Sequence, residues 1–258
     1  MMDIVIVTNN MGGDSITVLA VKINFKNLRI MAIKLEKGQR INLEKETGAK
    51  LTNFCVGCNW GAIVVEKPGF LGFGTKKEEL DVDVDLSCVM TDANGQLVDT
   101  LYSPLYKTQF FQAVGLPIGK DWSADKSMYH TPDDTEGDKG GDDGLDNEIV
   151  TVDLAKVNPR ITQIFFFLNI YSPRNIDFQQ IPYVAIRMFE GTPDLAPKQV
   201  FAQYDVAKEG QFAGKDALIM GKLYRRGGEW KFAAIGDAFS DSNDLRNTVK
   251  RIINNYAK

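Results

Sequence analysis

An alternating stretch at residues 80 to 90 is the pattern that most constrains the fold of this chain. Apolar side chains occupy its even positions, whereas Asp81, Asp83 and Asp85 occupy odd ones. A repeat of two is typical of a strand with one buried face, because successive side chains of a strand point to opposite sides. The stretch therefore predicts a β-strand with three carboxylates on one face.

Two interpretations of these carboxylates stay open from the strand alone. Side chains two apart on a strand face lie about 7 Å from each other, so a cation between two aspartates would collect oxygens from both. Aspartate is also a poor strand former, which favours a functional reason for three of them. The alternative is a solvated outer face whose charges oppose pairing with another sheet edge.

A second acidic segment, residues 133 to 148, favours a metal site. It holds eight acids and one base, Lys139, so its formal charge is −7, whereas the whole chain carries −4. Interleaved glycines permit the positive φ angles that turn oxygens toward one point. Calcium takes about six to eight oxygen ligands, whereas zinc and copper favour imidazole or thiolate. The segment therefore predicts a loop ordered by calcium, with a disordered acidic loop as the alternative.

The spacing of the acids excludes an EF-hand. That loop requires a glycine at its sixth position, between two helices. Counting from Asp81, the sixth residue is Leu86, which lies inside the strand pattern. Counts from Asp133, Asp134 or Asp138 also fail to place the glycine and the final glutamate.

Short strand patterns separated by Asn, Gly and Pro fill much of the remaining chain. They lie at residues 96–102, 149–154, 161–171, 184–189, 200–206, 217–225 and 229–235. Such a series predicts an all-β fold, a two-sheet antiparallel β-sandwich with a long acidic metal-binding loop. The run at residues 164–168 is apolar at every position, which places it centrally in a sheet.

The two ends of the chain differ from this strand series. A stripe of apolar residues at helical spacing predicts a short C-terminal helix at residues 243–256, with Asp241, Ser242 or Asn243 as its N-cap. Residues 1–30 form an N-terminal extension ahead of a domain at residues 31–258. The extension is interpreted either as an added strand at residues 16 to 25 or as the product of an upstream start codon chosen in place of Met31.

The cysteines and the single histidine carry weaker signals. Cys55 and Cys58 lie on one predicted strand, where positions three apart point to opposite faces, so buried reduced thiols are favoured over zinc or a redox motif. Cys88 falls on the apolar face of the acidic strand. His130 is interpreted as a loop residue at the mouth of the acidic segment.

A set of short motifs in order resembles the TerD family of tellurium-resistance and stress proteins. The motifs are Ile33-Lys-Leu-Glu-Lys-Gly38, Val56-Gly-Cys-Asn-Trp60, Leu80-Asp-Val-Asp-Val-Asp85, His130-Thr-Pro-Asp-Asp134, Gly141-Asp-Asp143 and Leu223-Tyr-Arg225 with Trp230-Lys-Phe232. They span residues 31 to 239. The resemblance implies a non-enzymatic, calcium-binding β-sandwich that acts in bacterial stress response and tellurite resistance, with no catalytic residues.

The resemblance also implies a set of calcium ligands. Carried over by position, these are Asp81, Asp83, Asp85, Asp133, Asp134, Asp138, Asp142, Asp143 and Glu148. The chain departs from the family pattern at Gly61, where an aspartate usually follows the tryptophan. It also has a longer insert at residues 61 to 79, interpreted as a hairpin or a flexible apolar loop.

Three function classes follow from these patterns. The first is a cytoplasmic, calcium-dependent stress protein whose partners are other proteins of the tellurium-resistance system, including at the inner face of the membrane, and not nucleic acid. No secretory signal is recognisable at the N-terminus. The second is a calcium-dependent peripheral membrane-binding module that inserts an apolar tip at residues 70–73. The third is a metal-dependent hydrolase with a two-metal carboxylate site.

Overall fold

The structure is a computed structural model. The residues that it describes are 4–9, 16–21, 33–44, 48–68, 74–106, 109–113, 115–171, 176–206, 210–241 and 244–257. The chain divides into two compact units, Met1–Met31 and Ala32–Lys258. In the first unit, β1 (Ile4–Asn9) and β2 (Ile16–Val21) pair as an antiparallel hairpin.

The second unit consists mostly of strands. In chain order its elements are β3 (Ile33–Lys34), β4 (Arg40–Asn42), β5 (Asn53–Trp60), β6 (Ile63–Pro68), β7 (Thr75–Leu80), β8 (Asp83–Thr91), β9 (Leu97–Leu101), α1 (Gln109–Ala113), β10 (Met128–His130), β11 (Glu148–Asp153), β12 (Gln163–Tyr171), β13 (Val184–Glu190), β14 (Gln199–Asp205), β15 (Ala217–Arg226), β16 (Glu229–Phe239) and α2 (Leu245–Asn255).

Two six-stranded sheets form a sandwich in this unit. The strand order is β10-β11-β5-β13-β14-β3 in the first sheet and β4-β16-β15-β12-β8-β9 in the second. Neighbouring strands are antiparallel, except that β3 runs parallel to β14 at one edge. The predicted two-sheet antiparallel β-sandwich is therefore confirmed, with one parallel pair that the sequence pattern did not indicate.

Strand β12 lies in the interior of the second sheet, as its apolar run predicts. Ile164, Phe166 and Leu168 pack in the core between the two sheets. Phe165 and Phe167 point to the opposite face, where they pack against α2. All five side chains are fully buried, so both faces of β12 are covered, and this explains why the run lacks polar residues.

Helix α2 covers the outer face of the second sheet. Leu245, Val249 and Ile252 are buried against that sheet. Its N-cap is Asp244, whose side chain accepts a hydrogen bond from the backbone N–H of Arg246. The predicted helix is present, but Asp241, which was expected to cap it, instead binds Thr248 Oγ1 through its carboxylate.

The predicted strand at residues 80 to 90 is wrong at its beginning. Leu80 ends β7, which pairs with β6 in a separate two-stranded sheet, and Asp83 begins β8 in the second large sheet. The chain changes sheets at Asp81 and Val82. The insert at residues 61 to 79 thus includes a hairpin, and its tip at residues 69–73 lies outside the described residues.

The outer face of β8 is also less open than the alternation suggests. Asp85 is 2% exposed and Ser87 is fully buried. Tyr106 covers Asp85, and its ring contacts Phe111 of α1 at a centroid distance of 5.3 Å. A solvated outer face therefore does not explain the acids of this strand.

The burial of β12 predicts a large stability loss for Leu168→Ala. Leu168 is fully buried, and removing a buried leucine side chain typically costs about 2–5 kcal/mol because it leaves a cavity. Leu195, 56% exposed, offers the same chemical change at the surface, where Leu195→Ala is expected to cost less than about 0.5 kcal/mol. Urea unfolding followed by fluorescence measures the loss of unfolding free energy in both variants. Similar losses in the two would contradict the placement of Leu168 in the core.

Candidate metal centre

The acidic loop, residues 131–147, joins β10 to β11 and is docked on two strand ends by backbone hydrogen bonds. Asp138 N–H donates to Trp60 O at 2.9 Å, and Val82 N–H donates to Glu136 O at 3.1 Å. The loop thus bridges the end of β5 in the first sheet and the entry to β8 in the second.

Close contact with Trp60 requires a glycine in this loop. Gly137 has a φ of +75°, and a Cβ at this position would overlap the indole ring of Trp60. The ring itself is held by its Nε1–H, which donates to Val82 O at 2.7 Å. Gly137 therefore allows the loop to dock against Trp60 as well as to curve.

Carboxylates from both sheets meet beneath the loop. One oxygen each of Asp85, Asp133 and Glu148 lies within 4.8 Å of the other two. Asp85 comes from β8 in the second sheet and Glu148 from β11 in the first, and both are almost fully buried. Asp83 precedes Asp85 by two residues and interacts electrostatically with Asp85 and Asp133. We call these four residues the buried cluster.

Several oxygens of the buried cluster lack a hydrogen-bond partner. Asp83 Oδ1, Asp133 Oδ1 and Glu148 Oε1 are buried and accept no hydrogen bond from any described residue. Buried polar atoms are nearly always paired, and an unpaired buried charge is strongly destabilising. A cation bound between these carboxylates would give such oxygens a partner.

Burial and mutual repulsion raise the pKa values of these acids. Burial, followed by the charges of Asp133 and Asp134, raises the pKa of Asp83 to about 7. Burial and the charge of Asp83 raise the pKa of Asp85 well above its usual range. Burial and the charge of Asp85 do the same to the pKa of Glu148. A bound cation would favour the ionised forms and oppose these shifts.

Neutral donors hold two further oxygens of the cluster. The hydroxyl of Tyr106 donates to Asp85 Oδ2 at 2.6 Å. The backbone N–H of Leu86 donates to Glu148 Oε2 at 2.6 Å. Each donor fixes one oxygen of its carboxylate, and the other oxygen of Glu148 is buried with no hydrogen-bond partner among the described residues.

His130 does not lie in the loop, so its interpretation as a loop residue is wrong. It is the last residue of β10 and is fully buried. Its Nδ1 lies 2.6 Å from Thr131 O, and its Nε2 lies 2.7 Å from Leu86 O. Its Nε2 also lies 3.7 Å from Glu148 Oε2. With both ring nitrogens engaged, His130 borders the buried cluster but is not oriented to ligate a metal.

A second group of acids lies at the surface of the loop. Oxygens of Asp138, Asp142 and Asp143 lie within 4.8 Å of one another, and we call these residues the exposed cluster. Asp138 already accepts from Asn147 Nδ2 at 3.0 Å and from the Tyr183 hydroxyl at 2.8 Å. The chain itself thus satisfies both carboxylate oxygens of Asp138.

The exposed cluster differs from the buried one in its solvent access and in its internal partners. Asp142 Oδ1 accepts from Asn59 Nδ2 at 2.9 Å and from Gly144 N–H at 2.7 Å. Asp142 and Asp143 are also exposed to solvent. Water and local donors therefore offset the charge here, and the need for a cation is weaker than in the buried cluster.

Two of the predicted ligands lie outside both clusters. Asp81 forms an exposed ion pair with Lys139 Nζ at 3.0 Å. Asp134 Oδ1 accepts from Glu136 N–H at 2.9 Å and Gly137 N–H at 3.1 Å, which closes a turn of the loop. The structure thus gives both residues contacts that organise the loop.

Residues outside the predicted ligand set also organise the site. Asn147 bonds to Asp134 and Asp138, and its Oδ1 accepts from Trp60 N–H at 2.8 Å. Arg187 of β13 forms an ion pair at 2.9 Å with Asp146, whose side chain is fully buried. Burial raises the pKa of Asp146 to about 6, although the Arg187 charge opposes this shift. These contacts anchor the second half of the loop to the first sheet.

One cysteine borders this chemistry, since Cys58 of β5 is the strand-pair partner of Glu148 in β11. Cys55, Cys58 and Cys88 are free and buried. Cys58 packs in the core between the sheets, whereas Cys55 packs in a separate cluster on the other side of β5. The two residues thus point to opposite faces, as the strand spacing predicts. Burial raises the pKa of the Cys55 thiol to about 11, which disfavours the reactive thiolate.

Comparison with known proteins identifies the family. The family model described as the TerD domain matches residues 31–251 of the chain. The chain belongs to the TerD family. The resemblance of its ordered motifs is therefore confirmed.

Relatives within the TerD family are bacterial proteins. Stress response protein SCP2 of Bacillus subtilis (strain 168) is 32% identical over 86% of this chain and 100% of its own length. Tellurium resistance protein TerD of Serratia marcescens is 26% identical over 81% of this chain and 92% of its own length. The crystal structure of a homologue of telluride resistance protein (TerD) from Streptomyces coelicolor A3(2) matches with a TM-score of 0.54 at 14% identity. That match covers 80% of this chain and 98% of the solved chain, and it supports the fold.

The side chains around Gly61 explain why this position, a departure from the TerD pattern, holds a glycine. A Cβ at Gly61 would overlap the ring of Tyr183 and the side chain of Pro182. The Tyr183 hydroxyl, in turn, donates to Asp138. At this point the ring of Tyr183 occupies the space that an aspartate side chain at position 61 would need.

The donor chemistry of this TerD-domain protein fits a hard cation. The buried cluster offers carboxylate oxygens only, several of them without partners. Calcium prefers such oxygens and tolerates irregular geometry. No helix among the described residues is long and apolar enough to cross a membrane.

The raised pKa of Asp83 predicts a pH dependence of stability in metal-free protein. The folded state binds this proton more tightly, since its pKa is about 7 against an ordinary 3.8. The proton bound to Asp83 therefore contributes its full stabilisation of the folded state below about pH 4, and this stabilisation is lost as the pH rises toward 7. We expect the melting temperature in chelator to fall between pH 5 and pH 8, and Asp83→Asn to reduce this fall.

Asp81→Asn provides the matched control for this experiment. Asp81 is a nearby exposed acid, and its removal is expected to leave the dependence of the melting temperature on pH as in the wild type. Thermal melting followed by circular dichroism between pH 5 and pH 8 measures all three proteins. An equal pH dependence in Asp83→Asn and in the wild type would contradict the assignment of this dependence to Asp83.

Proposed function

We propose that this TerD-family protein is a non-enzymatic calcium-binding protein of bacterial stress response and tellurite resistance. The buried cluster carries this proposal, because three of its buried carboxylate oxygens have no partner among the described residues. Relatives named as stress response and tellurium resistance proteins support the biological context.

The ligands proposed for calcium are the members of the buried cluster. Asp83 and Asp85 come from the second sheet, Glu148 comes from the first, and Asp133 comes from the acidic loop. Calcium would supply positive charge at a point where both sheets and the loop converge. Binding would therefore stabilise the junction of the two sheets and the docked position of the loop.

Calcium is proposed over magnesium because of the ligand set. Magnesium keeps several of its waters and demands near-octahedral geometry, whereas calcium accepts irregular sets of carboxylates. Asp85 and Glu148 are nearly inaccessible to solvent, which disfavours an ion that retains a water shell. The exposed cluster is proposed as a second, weaker site, because Asp138 and Asp142 already accept hydrogen bonds from the chain.

A binding role is proposed over an enzymatic one. His130 is the only histidine of the chain, and both of its ring nitrogens face carbonyl oxygens. The cysteines are buried, and burial raises the pKa of each thiol. The described residues therefore provide no free imidazole or thiolate for general-base or nucleophilic catalysis.

The partners proposed are other proteins of the tellurium-resistance system in the cytoplasm, including at the inner face of the membrane. The exposed face of the acidic loop supports this, because it carries Asp142, Asp143 and Leu145 at the surface. A change in the charge of the loop on calcium binding would change the surface that such partners contact.

Calorimetric titration with calcium tests the proposal. We expect saturable binding in the wild type, loss of the tighter site in Asp83→Asn with Glu148→Gln, and its retention in Asp142→Asn. A ligand at about 100 times its Kd stabilises a protein by about 2.7 kcal/mol, so calcium should also raise the melting temperature of the wild type.

Asp81→Asn and a magnesium titration serve as the controls for calorimetry. Asp81 lies outside both clusters, so its variant should bind calcium as the wild type does. Absence of calcium binding in the wild type would refute the proposal. Equal binding by the wild type and the buried-cluster variant would place the site elsewhere.

A further inference from the structure

Three basic side chains gather on the outer face of the second sheet, beside its edge strand β4. Arg40 belongs to β4, Lys231 to β16 and Lys222 to β15. Ala233 of β16 pairs with both Arg40 and Lys222, and directly paired residues share one face of a sheet. Phe232 packs in the core between the sheets, so its neighbours Lys231 and Ala233 point outward. We call Arg40, Lys222 and Lys231 the basic cluster.

A short side chain separates two members of the basic cluster. Neighbouring strands lie about 4.8 Å apart, so the Cα atoms of Arg40 and Lys222 lie about 10 Å apart across Ala233. Ala233 offers only a methyl group between these two long side chains. The space above Ala233 is therefore flanked by a guanidinium on one side and an ammonium on the other, and a small group with several oxygens fits it.

The ammonium of Lys222 is held in place by the chain. Its Nζ donates to Gln163 Oε1 at 2.6 Å and to Tyr256 O at 3.3 Å, and it lies 5.0 Å from the centroid of the Phe165 ring. These two hydrogen bonds engage two of its three N–H groups. Burial, followed by the charge of Arg40, lowers the pKa of Lys222. The repulsion between the two cations thus acts on an ammonium that is already fixed.

The described carboxylates of the same strand do not offset these charges. Glu229 and Asp237 of β16 form ion pairs with Lys50 and Lys37 instead. Among the residues that the structure describes, no carboxylate lies within ion-pair distance of a member of the basic cluster. Like charges on neighbouring strands are destabilising, and an anion bound between them would replace this repulsion with attraction.

We propose that the basic cluster binds a phosphate-type dianion above Ala233, between Arg40 and Lys222. The planar guanidinium of Arg40 matches two phosphate oxygens, whereas Lys222 and Lys231 add point charges. The site shares no residue with either acidic cluster, so it does not rest on the proposed function. Free phosphate and the monoester headgroup of phosphatidic acid carry this same chemistry, and the experiment separates these two sources.

Calorimetric titration with inorganic phosphate tests the site in free solution. The titration uses the wild type in chelator, with sodium chloride keeping the ionic strength constant. We expect saturable binding and a loss of at least about tenfold in the affinity of Arg40→Gln, because hydrogen bonds to charged groups contribute that much. Arg40 is exposed, so this variant should keep the melting temperature of the wild type.

Lys222→Met and Lys198→Gln complete the series. Methionine keeps an apolar stem beside Phe165 but removes the ammonium, so phosphate affinity should fall as in Arg40→Gln. Lys198 is an exposed lysine that directly precedes β14 of the first sheet, and Lys198→Gln should bind phosphate as the wild type does. An equal loss of affinity in Lys198→Gln and Arg40→Gln would overturn the proposal, because the binding would then report net charge alone.

Vesicle sedimentation tests the lipid source with the same proteins. One set of vesicles contains phosphatidic acid, and the other contains phosphatidylglycerol, a phosphodiester, at matched surface charge. Preference for phosphatidic acid that Arg40→Gln abolishes would assign the site to a lipid headgroup, whereas saturable binding of free phosphate without this preference would assign it to a soluble ligand. Absence of both, or binding that Arg40→Gln and Lys222→Met leave unchanged, would overturn the proposal.

Discussion

Repulsion among carboxylates that are buried at the junction of two sheets is the constraint on which the site depends. Asp85 and Glu148 come from different sheets, so closing the sandwich brings their charges together. Hydrophobic contacts of the core must hold the sheets closed against this repulsion. The geometry therefore stores an electrostatic strain that a bound cation would relieve, and binding would then link the stability of the fold to occupancy of the site.

The rest of the site holds these charges in place without neutralising them. Tyr106 and the Leu86 peptide each engage one oxygen of a buried carboxylate. On the surface side, Asn147 and the Arg187–Asp146 ion pair hold the acidic loop on the strands. Preorganisation of this kind would reduce the ordering cost of binding a cation, because the loop is already docked on the strands.

Local pattern predicted most of the fold and the acids of the site, but not how those acids divide between two clusters. The apolar run of β12 indicates burial directly, and the structure agrees, whereas the period of two in β8 indicates one open face that the structure buries. Which carboxylates meet depends on pairing between distant segments: Asp85 and Glu148 are brought together by the packing of two sheets. The roles of Tyr106 and His130 also depend on such contacts, since each bonds to a residue more than twenty positions away.

The close approach of Gly61 and Tyr183 couples the backbone at the end of β5 to the acidic loop. The tyrosine ring fills the volume beside Gly61 and donates to Asp138. An aspartate at position 61 and a large ring at position 183 compete for one space. A side chain at position 61 therefore requires the ring of Tyr183 to move or to be replaced by a smaller side chain, and either change would also disturb the hydrogen bond that this ring gives to Asp138.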